Sequence, residues 1–307
     1  MNNLPFDKII QHDTALFVNW QIGKRCNYEC FYCNDDLHDK TSPDVDIIIL
    51  KKIYDRIKQQ YSGNINFSIT GGEPTLHPNL IEFCKYISNG NKIVITTNGF
   101  KNVKYLQELQ KYANLTISYH PLYIKNDDKF IEKILQLSYG SIHIMLEHDY
   151  LDRAEYVYKK LKDFCACHYR PVRKKFIIGT KQHLNNKYKT YYSDKQNEKV
   201  NDLIENSNKP DNYTINVGND KTISLSYILN NKLFCFTDWQ CSGGVESLYI
   251  THDNIVYNAT CRLKKLGNFN NFKMLNEYVT CTRKGCTCIA DIHLNKFYPD
   301  ENIINRG

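Results

Sequence analysis

Two spacings of apolar residues alternate along the first 175 residues of the chain. Ile65, Phe67 and Ile69 occupy every second position, which is the period of a β-strand with one buried face. Phe83 and Ile87 belong to a segment whose apolar residues recur every three or four positions, as in a helix. The first pattern predicts strands over 16–22, 65–69, 93–97, 115–119, 142–146 and 167–172.

Helices are predicted between these strands. Ser42 and Pro43 resemble a helix start, with Ser as N-cap and Pro at the first helical position. The predicted helices cover 42–57, 78–89, 103–112, 130–137 and 151–164, and Gly90 closes the second of them. Strands that alternate with helices form a parallel sheet with right-handed crossovers. Because a closed eight-stranded barrel needs about 250 residues, six units predict an α/β fold with a partial (β/α)6 TIM-like barrel.

The rest of the chain has a different character. Residues 176–232 are rich in Lys, Asn and Tyr, which predicts a linker or bridging region with a hairpin around 214–225. Residues 233–307 read as a compact cysteine-rich unit with a hairpin of 248–250 and 255–257 and a short helix around 274–278. The predicted domains are therefore a barrel over 1–175, a linker over 176–232 and a C-terminal domain over 233–307.

Composition narrows the class of protein. Apolar residues make up 42% of the chain, enough for a substantial core, and the mean hydropathy is −0.53. No apolar run approaches the length of a membrane-spanning helix, and the N-terminus lacks the pattern of a secretory signal. We therefore expect a cytoplasmic protein, neither secreted nor membrane-bound nor wholly disordered.

Twelve cysteines in such a chain point to metal ligands or catalysts before disulfides. Cys26, Cys30 and Cys33 form a C-x3-C-x2-C sequence directly after the first predicted strand. Three thiolates in a short loop can bind three corners of a [4Fe–4S] cubane and leave the fourth iron open. The alternative is a structural zinc site, to which His38 would supply a fourth ligand.

This motif, with Tyr32 before its last cysteine, resembles that of the radical S-adenosylmethionine (SAM) enzymes. The resemblance covers roughly residues 14–175 and implies that the open iron binds the amino and carboxylate groups of SAM. Reductive cleavage of SAM then gives a 5′-deoxyadenosyl radical, which abstracts a substrate hydrogen. Gly71, Gly72 and Glu73 follow the second strand, where the family holds the SAM amino group, so Glu73 takes that role by resemblance.

Four further residues are candidate SAM contacts by the same resemblance. Asn98 lies in a T-N-G segment after the third strand, and Ser118, followed by His120, lies where ribose contacts are found. Glu147 ends a segment similar to G-x-I-x-G-x-x-E, in which Ile144 replaces the second glycine. Arg170 on the sixth strand is positioned to meet the SAM carboxylate.

The C-terminal cysteines resemble the SPASM/twitch extension of radical SAM enzymes. The matching features are a cysteine, a hairpin whose turn has Asn254 in place of glycine, a second cysteine, an L-G-N segment and further cysteines. The resemblance implies one auxiliary [4Fe–4S] cluster. Its expected ligands are Cys241, Cys261, Cys286 and Cys288, with Cys281 as the alternate and a zinc knuckle as the rival interpretation.

Charge is distributed unevenly. The net charge is +7, with 16 Lys and Arg against 17 Asp and Glu in residues 1–150 but 24 against 16 in residues 151–307. Arg173, Lys174 and Lys175 follow the last predicted barrel strand. This excess favours a small anionic substrate, with a solvated lysine-rich surface as the alternative.

The sequence thus predicts a radical SAM enzyme that performs an oxidation, a rearrangement or a peptide or nucleotide modification. Its expected partners are a small-molecule or peptide substrate and a reducing electron donor such as flavodoxin or ferredoxin, with no membrane partner. The alternative is a non-catalytic, zinc-stapled nucleic-acid-binding protein, which the basic second half and the 23 tyrosines would suit.

Overall fold

The fold is taken from a computed structural model that describes residues 4–11, 14–34, 37–138, 140–172, 192–207, 214–218, 221–286 and 288–299. The predicted patch Arg173, Lys174 and Lys175 and much of the predicted linker lie outside these ranges. Within them, no helix has the length and apolar character needed to cross a membrane.

The strands of the described chain are short and numerous. They are β1 (Lys8–Ile9), β2 (Leu16–Gln21), β3 (Ile65–Thr70), β4 (Lys92–Thr97), β5 (Asn114–Tyr119), β6 (Gly140–Leu146), β7 (Ala166–Pro171), β8 (Thr214–Asn216), β9 (Thr222–Ser224), β10 (Gln240–Cys241), β11 (Ser247–Ile250), β12 (Ile255–Tyr257), β13 (Lys265–Asn268), β14 (Val279–Thr280) and β15 (Lys296–Phe297).

The helices mostly lie between the barrel strands. They are α1 (Ile47–Gln60), α2 (Leu80–Ile87), α3 (Val103–Gln110), α4 (Asp127–Leu135), α5 (Leu151–Leu161), α6 (Asp194–Glu205), α7 (Leu225–Asn230) and α8 (Ile289–Ile292). Two 3₁₀ turns, Pro74–Leu76 and His148–Tyr150, follow β3 and β6.

One nine-stranded sheet organises the molecule, in the order β13-β12-β11-β2-β3-β4-β5-β6-β7. Strands β2 to β7 are parallel and follow chain order, as the alternating pattern predicts. The predictions of an α/β fold and a partial TIM-like barrel are confirmed. Apolar side chains on one face, such as Trp20 and Ile95, are fully buried under the helices, and the Trp20 and Phe83 rings meet edge to face with centroids 5.2 Å apart.

The C-terminal hairpin continues this sheet. Strand β11 pairs in parallel with β2, so that Tyr249 lies beside Asn19, and β12 and β13 follow antiparallel. The predicted hairpin is confirmed, and Asn254 in its turn has the left-handed φ of 62° that suits Asn in place of glycine. The barrel and the cysteine-rich segment therefore share one sheet.

A second, smaller core lies outside the barrel. Strands β1, β15, β10 and β14 form a four-stranded sheet, and the predicted hairpin near 214–225 is present as β8 and β9. Phe6 and Ile9 pack with Phe236, Trp239 and Ile292 in this core. The first described residues thus pack with the C-terminal segment, while the domain boundaries at 175 and 232 stay a prediction.

Two predicted helices are wrong in their position or existence. Helix α1 begins at Ile47 with Asp46 as its N-cap, not at Ser42. Asp39 accepts hydrogen bonds from the Ser42 amide (2.8 Å) and hydroxyl (2.5 Å), so Ser42 is engaged at a bend before the helix and does not cap it. The short helix predicted around 274–278 is absent, because the Leu275 amide bonds to the Gly244 carbonyl (3.0 Å) instead of closing a helical turn.

Candidate active site

The three cysteines of the C-x3-C-x2-C sequence lie in the loop after β2, at the carboxyl edge of the parallel sheet. The Cys26 amide donates to the Asp39 carbonyl (2.7 Å), and the Cys33 amide donates to the Cys30 carbonyl (2.9 Å). All three cysteines line one cavity of about 140 Å³. The other residues that line it are Gln21, Tyr28, Leu37, His38, Thr70, Gly71 and Gly72.

Gly71 and Gly72 allow the cysteine loop to lie directly on the end of β3. Gly71 has a φ of 116°, and a Cβ there would lie 2.3 Å from the Gly23 carbonyl oxygen. A Cβ on Gly72 would lie 2.2 Å from the Arg25 carbonyl oxygen. The Glu73 amide donates to that same Arg25 oxygen at 2.8 Å. Only glycine fits this backbone-to-backbone contact.

Glu73 is 4% exposed and turns its carboxylate into the protein. One oxygen accepts from the Thr75 amide (2.9 Å), the Thr75 hydroxyl (2.6 Å) and the Thr97 hydroxyl (2.6 Å). The other oxygen accepts from the Asn98 amide at 2.6 Å. Burial raises the pKa of Glu73, while these hydrogen bonds oppose the rise. The carboxylate therefore joins the ends of β3 and β4.

Tyr32, His120 and Glu147 form a hydrogen-bonded group beside the cysteine loop. The Tyr32 hydroxyl donates to Glu147 Oε1 (2.8 Å) and lies 2.6 Å from His120 Nδ1. The second Glu147 oxygen accepts from the Leu122 amide at 2.8 Å. Burial lowers the pKa of His120 to about 4, so its imidazole is neutral near pH 7. Burial also raises the pKa of Glu147, which is 1% exposed.

Asn98 directly follows β4 and links the end of that strand to the cysteine loop, since its Nδ2 donates to Asn27 Oδ1 at 2.8 Å. Ser118 and Arg170 lie further around the sheet, on the face opposite the helices. Ser118 is in register with His143 on β6, and Arg170 Nη2 lies 2.9 Å from His143 Nε2. His168 on β7 is the next residue in that row.

His143 and His168 were not among the residues predicted from the sequence. Their signal was present, because they alternate with Ile142, Ile144 and Cys167, which face the helices. Successive side chains of a strand point to opposite faces of the sheet, so His143 and His168 point to the concave face. Burial, Arg170 and His168 lower the pKa of His143 to about 3, so that imidazole stays neutral.

The C-terminal cysteines form a second group. Cys241, Cys261, Cys281 and Cys286 line one narrow cavity of about 20 Å³, together with Asp291 and Lys296 among others. Cys288, the fourth expected ligand, does not line it. Its thiol lies at the start of α8, where the Thr260 hydroxyl and backbone amides oppose the rise in pKa that burial causes. The structure thus brings together three of the four expected ligands and the alternate.

In the parts of the chain that the structure describes, no three His, Cys, Asp or Glu side chains converge closely enough to hold a single metal ion. A cubane distributes its thiolates over separate irons, so its ligands stand further apart than those of one tetrahedral ion. Cys26, Cys30 and Cys33, spread around a 140 Å³ cavity, fit that donor arrangement.

Comparison with known proteins gives a class for part of the chain. Residues 20–139, less than half of the chain, match the model of the radical SAM superfamily. A match to this superfamily implies a [4Fe–4S] cluster and SAM. The predictions of the superfamily and of an enzyme are confirmed at this level, and the activity of the whole chain is taken up below.

The curated relatives match only part of the chain. The GTP 3′,8-cyclase of Haemophilus influenzae is 27% identical over 107 residues, which are 33% of this chain and 32% of that protein. The probable GTP 3′,8-cyclase of Archaeoglobus fulgidus is 30% identical over 90 residues, 29% of this chain and 30% of the relative. The chain spans about a third of the length of the curated relatives it matches.

Solved structures resemble the fold over a longer range. Native anSMEcpe with bound AdoMet aligns with a TM-score of 0.52 and 16% identity, covering 83% of this chain and 78% of that one. Streptococcus suis SuiB bound to precursor peptide SuiA aligns with a TM-score of 0.51 and 15% identity, covering 85% and 64%. At such identities the likeness concerns the fold alone.

Proposed function

We propose that this chain is a radical SAM enzyme that modifies a small anionic substrate. The observation that carries the proposal is the 140 Å³ cavity at the carboxyl edge of β2 and β3, which Cys26, Cys30, Cys33, Gly71 and Gly72 line together. When bound, a [4Fe–4S] cluster and SAM supply a reducing electron and, by cleavage of SAM, a 5′-deoxyadenosyl radical that abstracts hydrogen.

The chain's own residues bind and orient in this proposal. Cys26, Cys30 and Cys33 hold the cluster, and the backbone of Gly71 and Gly72 lies open to the same cavity. Glu73 serves the SAM amino group through the backbone it fixes, since its four hydrogen bonds are all internal.

Four more side chains support the SAM site from its edges. Asn98 secures the cysteine loop through Asn27. Tyr32 and Glu147 hold one another, so that the aromatic ring is fixed beside Cys30. Ser118 lies on the concave face of β5, where a ribose contact would fit.

A second, twitch-like cluster is part of the proposal. Its ligands are Cys241, Cys261, Cys281 and Cys286, because these four cysteines line one cavity and Cys288 lies outside its lining. The donor set of four cysteines suits a fully ligated cubane.

The concave face supports an anionic substrate. Arg170 is held by the neutral His143, with His168 beside it, and this places a guanidinium and two imidazoles on adjacent strands. A guanidinium binds phosphate and carboxylate groups in a bidentate manner. Nucleotides fall in this class, as the GTP named for the partial relatives does. The reaction is an oxidation, a rearrangement or a peptide or nucleotide modification, and flavodoxin or ferredoxin would supply the electron.

Anaerobic reconstitution tests the function. Protein loaded with iron and sulfide should be brown, absorb broadly near ~400 nm and form 5′-deoxyadenosine when mixed with SAM and dithionite. The matched control is the Cys26/Cys30/Cys33→Ala variant, which should form none. A colourless protein that binds zinc alone, or equal 5′-deoxyadenosine from the variant, would refute the proposal.

A further inference from the structure

A buried ammonium group lies within the C-terminal cysteine cavity. Lys296 is 3% exposed and lines the cavity together with Cys241, Cys261, Cys281 and Cys286. In the antiparallel pair of β10 and β15 it is the direct partner of Cys241. Directly opposed side chains in such a pair have Cβ atoms about 5 Å apart, so the ammonium stem starts beside a proposed ligand.

The hydrogen bonds of Lys296 fix its charge in place. Its Nζ donates to the carbonyl oxygens of Asp291, Ile292 (3.2 Å) and Leu294 (3.1 Å), at the C-terminal end of α8. An ammonium has three N–H donors, and three carbonyls take them. Lys296 therefore acts on the cavity through its charge rather than by donating a hydrogen bond to sulfur.

Such a charge is costly to bury without a compensating one. The carbonyl dipoles offset part of the cost, and the Phe236 ring lies 5.3 Å from Nζ. The buried carboxylate of Asp291 lines the same cavity and offsets a further part of the cost by its charge, although its hydrogen bonds are with the Thr260 hydroxyl (2.6 Å) and the Cys261 amide (2.8 Å). Four thiolates around a cubane with a 2+ core carry a net charge of −2, and one-electron reduction makes it −3.

We propose that Lys296 supplies the fixed positive charge that sets the reduction potential of the auxiliary cluster. The inference rests on the proposed function, because it requires a cluster on the C-terminal cysteines. A positive charge favours the more negative, reduced form, so Lys296 raises the midpoint potential of this cluster. The electron added in the titration comes from dithionite and reduces the core from 2+ to 1+.

The test is a redox titration of the full chain carrying Cys26/Cys30/Cys33→Ala, followed by electron paramagnetic resonance. In this background the C-terminal cluster alone contributes the signal. Lys296→Met removes the charge at similar length, Lys296→Arg retains it, and Lys265→Met removes an exposed lysine as the matched control. We expect a more negative midpoint for Lys296→Met, with Lys296→Arg and Lys265→Met close to the parent.

Loss of iron is also informative. If Lys296→Met loses the cluster while Lys296→Arg keeps it with the midpoint potential of the parent, the positive charge is required at this site and the proposal holds. Equal midpoints for Lys296→Met and the parent, or equal loss of iron from the Met and Arg variants, would overturn it. If the Cys26/Cys30/Cys33→Ala parent holds no iron, the auxiliary cluster of the proposed function fails. The iron content of this parent is therefore measured before any Lys296 variant is made.

Discussion

Glu73 accepts four hydrogen bonds from Thr75, Thr97 and Asn98, and its carboxylate therefore has a use that the G-G-E motif does not reveal. The motif predicts a direct contact with the SAM ammonium. The geometry supports an indirect contribution, in which the side chain fixes the backbone around the cavity. His143 likewise orients Arg170 on the concave face. At this scale, function depends on side chains that hold other groups in place.

Replacing Glu73 with Gln should destabilise the protein and weaken SAM binding. The NH2 group of glutamine would face N–H or O–H groups that now donate to the carboxylate, and two donors cannot bond to each other. A buried unsatisfied polar group costs about 1–3 kcal/mol. Urea unfolding and a SAM titration measure the two effects. Glu108→Gln, at an exposed Glu paired with Lys111, is the control and should change neither. Equal stability and affinity in Glu73→Gln would contradict this role.

The pKa of His143, lowered to about 3, gives a pH dependence of stability. The folded protein keeps this imidazole neutral, whereas the unfolded chain protonates it below about 6.5. Stability is therefore full above that pH and falls as the pH drops toward 3.

Between pH 7.5 and 5.5 we expect this histidine to account for a loss of up to about 1 kcal/mol, discounted for its partial exposure. His143→Gln should remove that part of the pH slope in urea unfolding, and His252→Gln, in the β11–β12 turn, should not. The prediction is wrong if both variants keep the slope of the parent protein.

Among the elements, the loop after β2 and the end of β3 behave as one unit. The backbone contacts of Gly71, Gly72 and Glu73 with residues 23–25 fix the cysteine loop against the end of β3. Ligands commonly bind at the carboxyl edge of a parallel sheet. Here backbone hydrogen bonds join the loop after β2 to the end of β3 at that edge.

Gly72→Ala should disrupt this unit. Its Cβ would lie 2.2 Å from the Arg25 carbonyl oxygen, which backbone cannot avoid without moving the cysteine loop. We expect iron content to fall from about eight to about four per chain, and 5′-deoxyadenosine formation to drop at least ~10-fold, as for a loss of about 1.4 kcal/mol or more. Gly23→Ala is the matched control, because a Cβ there meets nothing within 4 Å. Full iron loading of Gly72→Ala would disprove the expectation.

Much of the element order could be predicted from the sequence, because each barrel strand and helix carries its own apolar period. The start of α1 could not, since a side chain outside the helix, Asp39, competes for Ser42. The pairing of β11 with β2 was also beyond local patterns, because it joins residues more than 200 positions apart. Spacing likewise gave the C-terminal cysteines as a group but not which thiols meet.

Across the whole molecule, the two cysteine groups lie in different parts of one continuous fold. The first lies at the carboxyl edge of β2, and the second is built on β10, β15 and the segments around them. We therefore expect loss of one cluster to leave the other in place.

Cys281→Ala and Cys288→Ala form a pair that tests the second group. Cys281→Ala removes a thiol that lines the cavity, so iron should fall from about eight to about four per chain while SAM cleavage continues. Cys288→Ala should retain about eight. Iron analysis with Mössbauer spectroscopy distinguishes the variants. The reverse result would reinstate Cys288 as the fourth ligand.

The pairing of β11 with β2 also has a consequence for synthesis on the ribosome. Strand β2 and its neighbour on one of its two sides, residues 247–250, are synthesised some 230 residues apart. Until then the growing chain carries an unprotected strand edge, the kind of surface that recruits other strands. The cysteine loop at the end of β2 is made directly after that strand. Nascent chains of this protein should thus depend on chaperones, or on cluster insertion, while the residues between β2 and β11 are translated.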